Sequence, residues 1–397
     1  MRALLVAGFV IGTWQRTALG LEAQGTSATP PDGEAAFEAG NFELAEVGLA
    51  AALDAHPDDV ATLIGMARIR LYQDRRAEAR QLASRGLAAA HDDAALLRVI
   101  AAADERDAAF AAGHFVVRPS ARPLTVPFVT TDPLPLLKVR LDGQREVTLL
   151  LDTGAPTLVL DPAVVTELGL ETRDAGRGTF AGGRQAALRR TVLPSLDAGE
   201  LHVTNIDTTV LATRGLKLGD RAIDGILGTG FLMHFLATID YRDGALVLRP
   251  RSASAAELTR AQRAGASIVP MWLVGDHFVF VRGHLNRAPD VLLHVDTGLA
   301  GGGVEATRAA LDAAGVALDD VAAATGQGGG GEVTFLPFQA DVTIGAIAAK
   351  DVHGIYTPDG NQYSIFPFAV GGTVSHEFFR RTRLTLDFAA MKIVIEQ

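Results

Sequence analysis

The spacing of apolar and polar positions changes once along the chain, and the change divides it. From Glu34 to about Ala112, Ala and Leu recur at helical intervals among Glu and Arg, which predicts packed amphipathic helices. Within this stretch Gly40-Asn41-Phe42-Glu43-Leu44-Ala45 is echoed by Asp74-Arg75-Arg76-Ala77-Glu78-Ala79, placing Ala45 and Ala79 34 residues apart. His56-Pro57-Asp58-Asp59 and His91-Asp92-Asp93 recur at nearly the same interval. Near His114-Phe115-Val116-Val117 the period drops to two, and Pro123, Pro127, Pro133 and Pro135 punctuate short extended pieces, as strands and turns require.

The alternating region contains one plan written twice. Leu136 to Leu141, a turn at Asp142-Gly143 and Val147 to Leu151 predict a hairpin whose return strand ends at Asp152-Thr153-Gly154. A short helix from Pro162 to Leu168, a Gly-rich tip over 177–186, strands at 201–203 and 208–211, and Gly225-Ile226-Leu227-Gly228 follow. A hairpin from Ala237 to Leu248 closes the unit. After a helical connector at Ser254 to Arg263, Phe278–Val281 and Val291–Val295 form the second hairpin, ending at Asp296-Thr297-Gly298. A helix over Glu305–Leu311, a Gly-rich tip at 326–331 and a closing pair at 384–388 and 392–395 complete the repeat. Asp152 to Asp240 is 88 residues, and Asp296 to Asp387 is 91.

Composition narrows the chemistry. The chain has 397 residues, enough for two or three domains, and its 48% hydrophobic and 21% charged content is that of a globular protein. A net charge of −10 with no basic cluster excludes a nucleic-acid surface. No cysteine is present, which removes disulfides, thiolate nucleophiles and Cys-ligated zinc. Met1 to Ile11 carries one Arg and a short apolar run, too short to span a bilayer; with Ala18-Leu19-Gly20 after it, the expectation is a signal peptide over 1–23 and export. No other run reaches membrane-spanning length.

A carboxylate at the end of an apolar strand is desolvated, so it needs donors or a partner. Two equivalent lobes related by a pseudo-twofold axis bring the two Asp-Thr-Gly turns together, as an isologous dimer would. A facing carboxylate pair shares a proton over a wide acid range. The ionised member can take a proton from water while the protonated one hydrogen-bonds a carbonyl oxygen. The Thr residues are suited to bonding across the seam, and Gly154 and Gly298 permit close approach. Gly326, Gly328 and Gly331 run into a strand, which excludes a dinucleotide site, and His376-Glu377 lacks the second His of a zinc motif and reads as a surface or helix-start pair. His294 shares the face of Asp296 by strand alternation.

Asp152-Thr153-Gly154-Ala155 and Gly225-Ile226-Leu227-Gly228, with the second Asp-Thr-Gly, resemble a bacterial retropepsin-like or pepsin-like aspartic protease whose lobe is duplicated in one chain. The 34-residue repeat resembles tetratricopeptide repeats. The first resemblance implies catalytic Asp152 and Asp296, supported by Thr153, Gly154, Thr297, Gly298, Gly225 and Gly228. It also implies flaps near Gly182 and Gly183 and near Gly328 and Gly329, a polypeptide substrate in an interlobe cleft, and no metal or cofactor. Lobe two departs in Leu299-Ala300 and the glycine triplet, and in Ser375 where lobe one has Gly228, which predicts a looser turn at Asp296.

The expected fold is multidomain, with N-terminal helical-repeat hairpins followed by two mainly-β acid-protease lobes. Its parts are a linker over 24–33, helices over 34–112, lobes over 115–250 and 267–397, and the connector over 251–266. The helices are the candidate surface for a protein partner. An inactive, peptide-binding scaffold is the alternative reading of the lobes.

Overall fold

The computed structural model describes residues 4–6, 9–10, 32–118, 120, 122–180, 185–218, 221–318, 321–328, 331–358 and 362–397. The chain forms two compact units: Ile11–Asp107 with Tyr363–Val370, and Met1–Val10 with Ala108–Gln362 and Gly371–Gln397.

The first unit is helical. Its helices are α1 (Gly33–Glu38), α2 (Phe42–Ala55), α3 (Val60–Tyr72), α4 (Arg76–Ala89) and α5 (Ala94–Ala109). Asp32, Asn41 and Asp59 accept amide hydrogen bonds at the starts of α1, α2 and α3, the usual device for satisfying a first turn. Small residues set the spacing: a Cβ on Gly86 would lie 2.7 Å from Leu96 Cδ1, and Ala45, Ala67, Ala79 and Ala83 are fully buried. Tyr363–Val370 comes from inside the second β repeat and belongs to this unit. Its Phe368 ring packs edge-on against Phe42 at 4.9 Å and Phe37 at 6.0 Å, with Tyr72 at 5.9 Å. Ala369 N donates to Glu38 O at 2.6 Å. Among the described residues no helix is long and apolar enough to cross a membrane.

The second unit is mainly β. In lobe one, Leu136–Leu141 pairs antiparallel with Arg145–Asp152. Gly225–Gly228 then lies parallel to the end of that strand and antiparallel to Leu158–Leu160. Lobe two repeats this: Phe278–Leu285 pairs with Val291–Asp296, and Gly372–Ser375 lies parallel to Leu293–Asp296 and antiparallel to Val304–Ala306. The closing hairpins of the two lobes are joined. Phe235–Asp240 pairs antiparallel with Arg383–Asp387, and the Thr238 and Thr385 hydroxyls meet at 2.8 Å. This self-pairing of equivalent residues marks the pseudo-twofold axis. Asp240 and Asp387 each accept two amide hydrogen bonds from the turn that follows them, so the acid recurs in both closing hairpins as a turn cap.

The elements differ from expectation in two places. The strands expected at 201–203 and 208–211 are one strand, Leu201–Val210, continuous through Asn205 at φ 57°, a conformation Asn tolerates. The helix expected from Glu305 begins later: Val304–Ala306 is a strand, and the Thr307 hydroxyl caps a helix over Arg308–Ala313. At the N-terminus, Leu4–Val6 pairs parallel with Gly326–Gly328 and Phe9–Val10 antiparallel with Thr179–Phe180. The rest of 1–23, including the Ala18-Leu19-Gly20 cleavage site, lies outside the described residues.

Candidate active site

Asp152 and Asp296 end equivalent strands at the centres of their lobes, and the two turns meet. Each carboxylate first satisfies its own turn: Gly154 N donates to Asp152 Oδ1 and Gly298 N to Asp296 Oδ1, both at 2.8 Å. Across the seam the carboxylates lie against the opposing glycines. A Cβ on Gly154 would stand 2.7 Å from Asp296 Cγ and Oδ2, and one on Gly298 would overlap the Asp152 carboxylate. Any side chain at either position would displace an acid.

The threonines lock this arrangement reciprocally. Thr153 N donates to Thr297 Oγ1 at 3.0 Å, and Thr297 N to Thr153 Oγ1 at 3.0 Å. Each hydroxyl then spends its own proton on the opposite strand, Thr153 on Val295 O at 2.7 Å and Thr297 on Leu151 O at 3.0 Å. All four are buried, where such bonds are costly to leave unmade.

Burial pushes both carboxyls up. Asp152 is pushed up to about 6, relieved by hydrogen bonds from Asp296 and from the Gly154 and Gly298 amides. Asp296 is raised well above the usual carboxylate range, by burial and then by the negative charge of Asp152. Asp152 Oδ2 is buried with no donor among the described residues unless the pair itself holds a proton. The two carboxyls therefore titrate as a pair and not singly.

Gly225 and Gly228 sit where two strands cross: a Cβ on Gly225 would strike Val159 O, and one on Gly228 would strike the Pro156 and Ala155 carbonyl oxygens. In lobe two the position of Gly228 is Ser375, beside Asp296 in the same register. The turn at Asp296 keeps the same carboxylate and threonine bonds, and its closing backbone bond, Leu299 N to Asp296 O, is longer at 3.5 Å than the 3.2 Å of Ala155 N to Asp152 O. A larger difference falls beyond it. Leu160, eight residues after Asp152, pairs with Gly225, whereas Ala306, ten after Asp296, pairs with Gly372. The two added residues make room for the Ser375 side chain, whose hydroxyl donates to Gly302 O at 2.5 Å.

Three neighbours carried no clear signal in the sequence. Thr229 donates its hydroxyl to Thr153 O at 2.8 Å, and its position directly after Gly228 was the available clue. Its counterpart His376 starts a short helix but is fully buried, not a surface residue, with Nδ1 3.2 Å from Leu299 O. Burial holds it neutral, down to about 4. Tyr241 is buried and its hydroxyl is raised by desolvation and then by Asp296. His294 packs between the Phe278 and Phe280 rings at 5.4 and 5.5 Å; the histidine whose charge acts on Asp296 is His277. Of the flap candidates, Gly328 ends a strand paired with Gly331–Ile344, while Gly182, Gly183 and Gly329 lie outside the described residues.

Residues 137–231 match the family model for aspartyl proteases, and residues 36–103 that for tetratricopeptide repeats. No curated protein sequence matches the chain. Among solved structures it is similar to a retropepsin-like aspartic protease from Rickettsia conorii, at 18% identity and TM-score 0.23, over 34% of this chain and 92% of that one. It is also similar to soybean basic 7S globulin, at 10% identity and TM-score 0.39, over 71% and 94%. Conglutin gamma, a basic 7S globulin from lupine seeds, matches at 9% identity and TM-score 0.41, over 70% and 95%. Residues 137–231 are thus aspartyl-protease-like in sequence, and the helices that precede them match tetratricopeptide repeats over residues 36–103.

Proposed function

We propose that the chain is an aspartic endopeptidase that hydrolyses peptide bonds with water activated between Asp152 and Asp296. The observation that carries this reading is the mutual seating of each carboxylate on the opposite lobe's glycine. In the proposed step the ionised carboxylate takes a proton from water as its oxygen adds to the scissile carbonyl carbon. The protonated carboxyl hydrogen-bonds the carbonyl oxygen. Collapse of the tetrahedral intermediate breaks the C–N bond and delivers the proton to the departing nitrogen, with no cofactor taking part. The substrate lies extended and pairs with strand edges. The pairing of Leu4–Val6 and Phe9–Val10 with the Gly-rich hairpins supports this, because those edges accept an added strand.

The N-terminal run from Met1 to Ile11 supports an exported protein, and the helical unit, by its repeat type, supports a protein-binding role. A peptide-library digest of the full chain, beside Asp152→Asn and Asp296→Asn, tests the reading. Cleavage that a pepstatin-type inhibitor blocks and either substitution abolishes is expected. Indifference to both substitutions leaves a peptide-binding scaffold.

A further inference from the structure

Away from the carboxylate pair, the second unit holds a cavity of about 330 Å³ between the approach to the strand Leu124–Thr130 and the end of the strand Ala245–Pro250. Four arginines line it, Arg118, Arg122, Arg249 and Arg251, and no acidic residue is among its described lining residues. That is unusual for this chain. Its acids outnumber its Lys and Arg residues by 46 to 36, and several of its other arginines are ion-paired, as Arg214 is to Asp224 and Arg260 to Glu257 and Glu396.

The cavity arginines divide into a fixed pair and an open pair. Arg251 is held by the Met233 and Phe388 carbonyls and lies over the Phe110 ring at 4.9 Å. Arg249 donates to Thr238 Oγ1 at 3.1 Å. Arg118 and Arg122 are exposed, and neither guanidinium has an ion-pair or hydrogen-bond partner among the described residues. Four like charges converging on one cavity repel, and a bound anion relieves that repulsion. Apart from Ser120 and the ring of His234 the remaining wall is apolar, with Val117, Leu124, Phe235, Leu248 and Pro250. His234 is stacked on Phe115 at 3.8 Å and kept neutral by burial and by Arg251.

We propose that this cavity binds a small organic anion, a carboxylate or phosphate head on an apolar body. Arg118 and Arg122 close on the head and the apolar wall takes the body. Guanidinium groups bind either head in bidentate fashion, and the volume suits a ligand of that size.

Calorimetric titration of the full chain with phenyl phosphate and with octanoate separates the two head groups. Saturable one-to-one binding of at least one is expected, weakening with added salt. Arg118→Gln and Arg122→Gln, both at exposed positions, each reduce that affinity about tenfold. The His234 ring resonances shift on binding and titrate at higher pH. Failure of both ligands to bind, or binding unchanged in both variants, overturns the proposal. Peptidase activity is not the readout, so neither result bears on Asp152 and Asp296.

Discussion

Thr153 and Thr297 exchange amide-to-hydroxyl hydrogen bonds at 3.0 Å in both directions, 144 residues apart in sequence. Each is at once the donor and the acceptor for its counterpart, so the two turns cannot be displaced independently. Thr153→Val keeps the shape and strands the Thr297 amide. A loss of about 2 kcal/mol is expected for either valine variant. Each hydroxyl serves a different two of the four bonds. A double-mutant cycle by urea unfolding therefore departs from additivity only where loosening one turn also weakens the bonds held by the other. The reciprocal lock predicts that it does, with the second substitution costing less than the first. Strict additivity would contradict the reciprocal lock.

The facing acids carry a pH signature independent of turnover. Asp152 is raised to about 6 in the folded chain from an unfolded value near 4. A raised carboxyl favours folding below the unfolded value, and that contribution is lost as pH climbs through the folded one. Asp152→Asn removes the loss. The variant should match the parent near pH 4 and exceed it by about 2 to 3 kcal/mol near pH 8, measured by denaturant unfolding at both. A constant difference across the range would show that burial does not raise the Asp152 carboxyl.

His234, His294 and His376 act in the opposite sense. All are held neutral by burial, to about 4, 3 and 4. Their unfolded forms take up protons near 6.5, so stability is intact above that value and falls as pH drops toward 4. His376→Gln should flatten the acid limb of the stability profile, with the midpoint at pH 5 rising relative to that at pH 7.

Gly228 and Ser375 hold equivalent places with unequal tolerance. Gly228→Ser drives a side chain into the Pro156 and Ala155 carbonyl oxygens and should cost ~3 kcal/mol or more. Ser375→Ala loses only a bond to Gly302 O and a helix cap at Glu377 N, about 1 kcal/mol. Thermal midpoints of the two variants would rank them.

The duplication was legible because its strongest marks are local: an apolar run, an abrupt acid, a glycine. Asp152 and Asp296 stand out for that reason, as do Pro162 at a helix start and the connector Ser254–Arg263. What stayed hidden depends on partners remote in sequence. Ser375 reads as a defect until the two-residue lengthening after Asp296 is seen in the register of Ala306 with Gly372. Glu305 reads as helical because the strand beside it, Gly372–Ser375, lies nearly seventy residues downstream. The joining of the two closing hairpins through Thr238 and Thr385 has no mark in either alone.

Phe368 is buried among Phe37, Phe42 and Tyr72, yet the helices that enclose it end at Ala109. During synthesis at roughly 5–20 residues per second, the pocket therefore waits tens of seconds for its last aromatic ring. Over that interval the newborn helices present an open, greasy slot. Any factor attending this chain on the ribosome meets that slot before the Asp296 turn has been made.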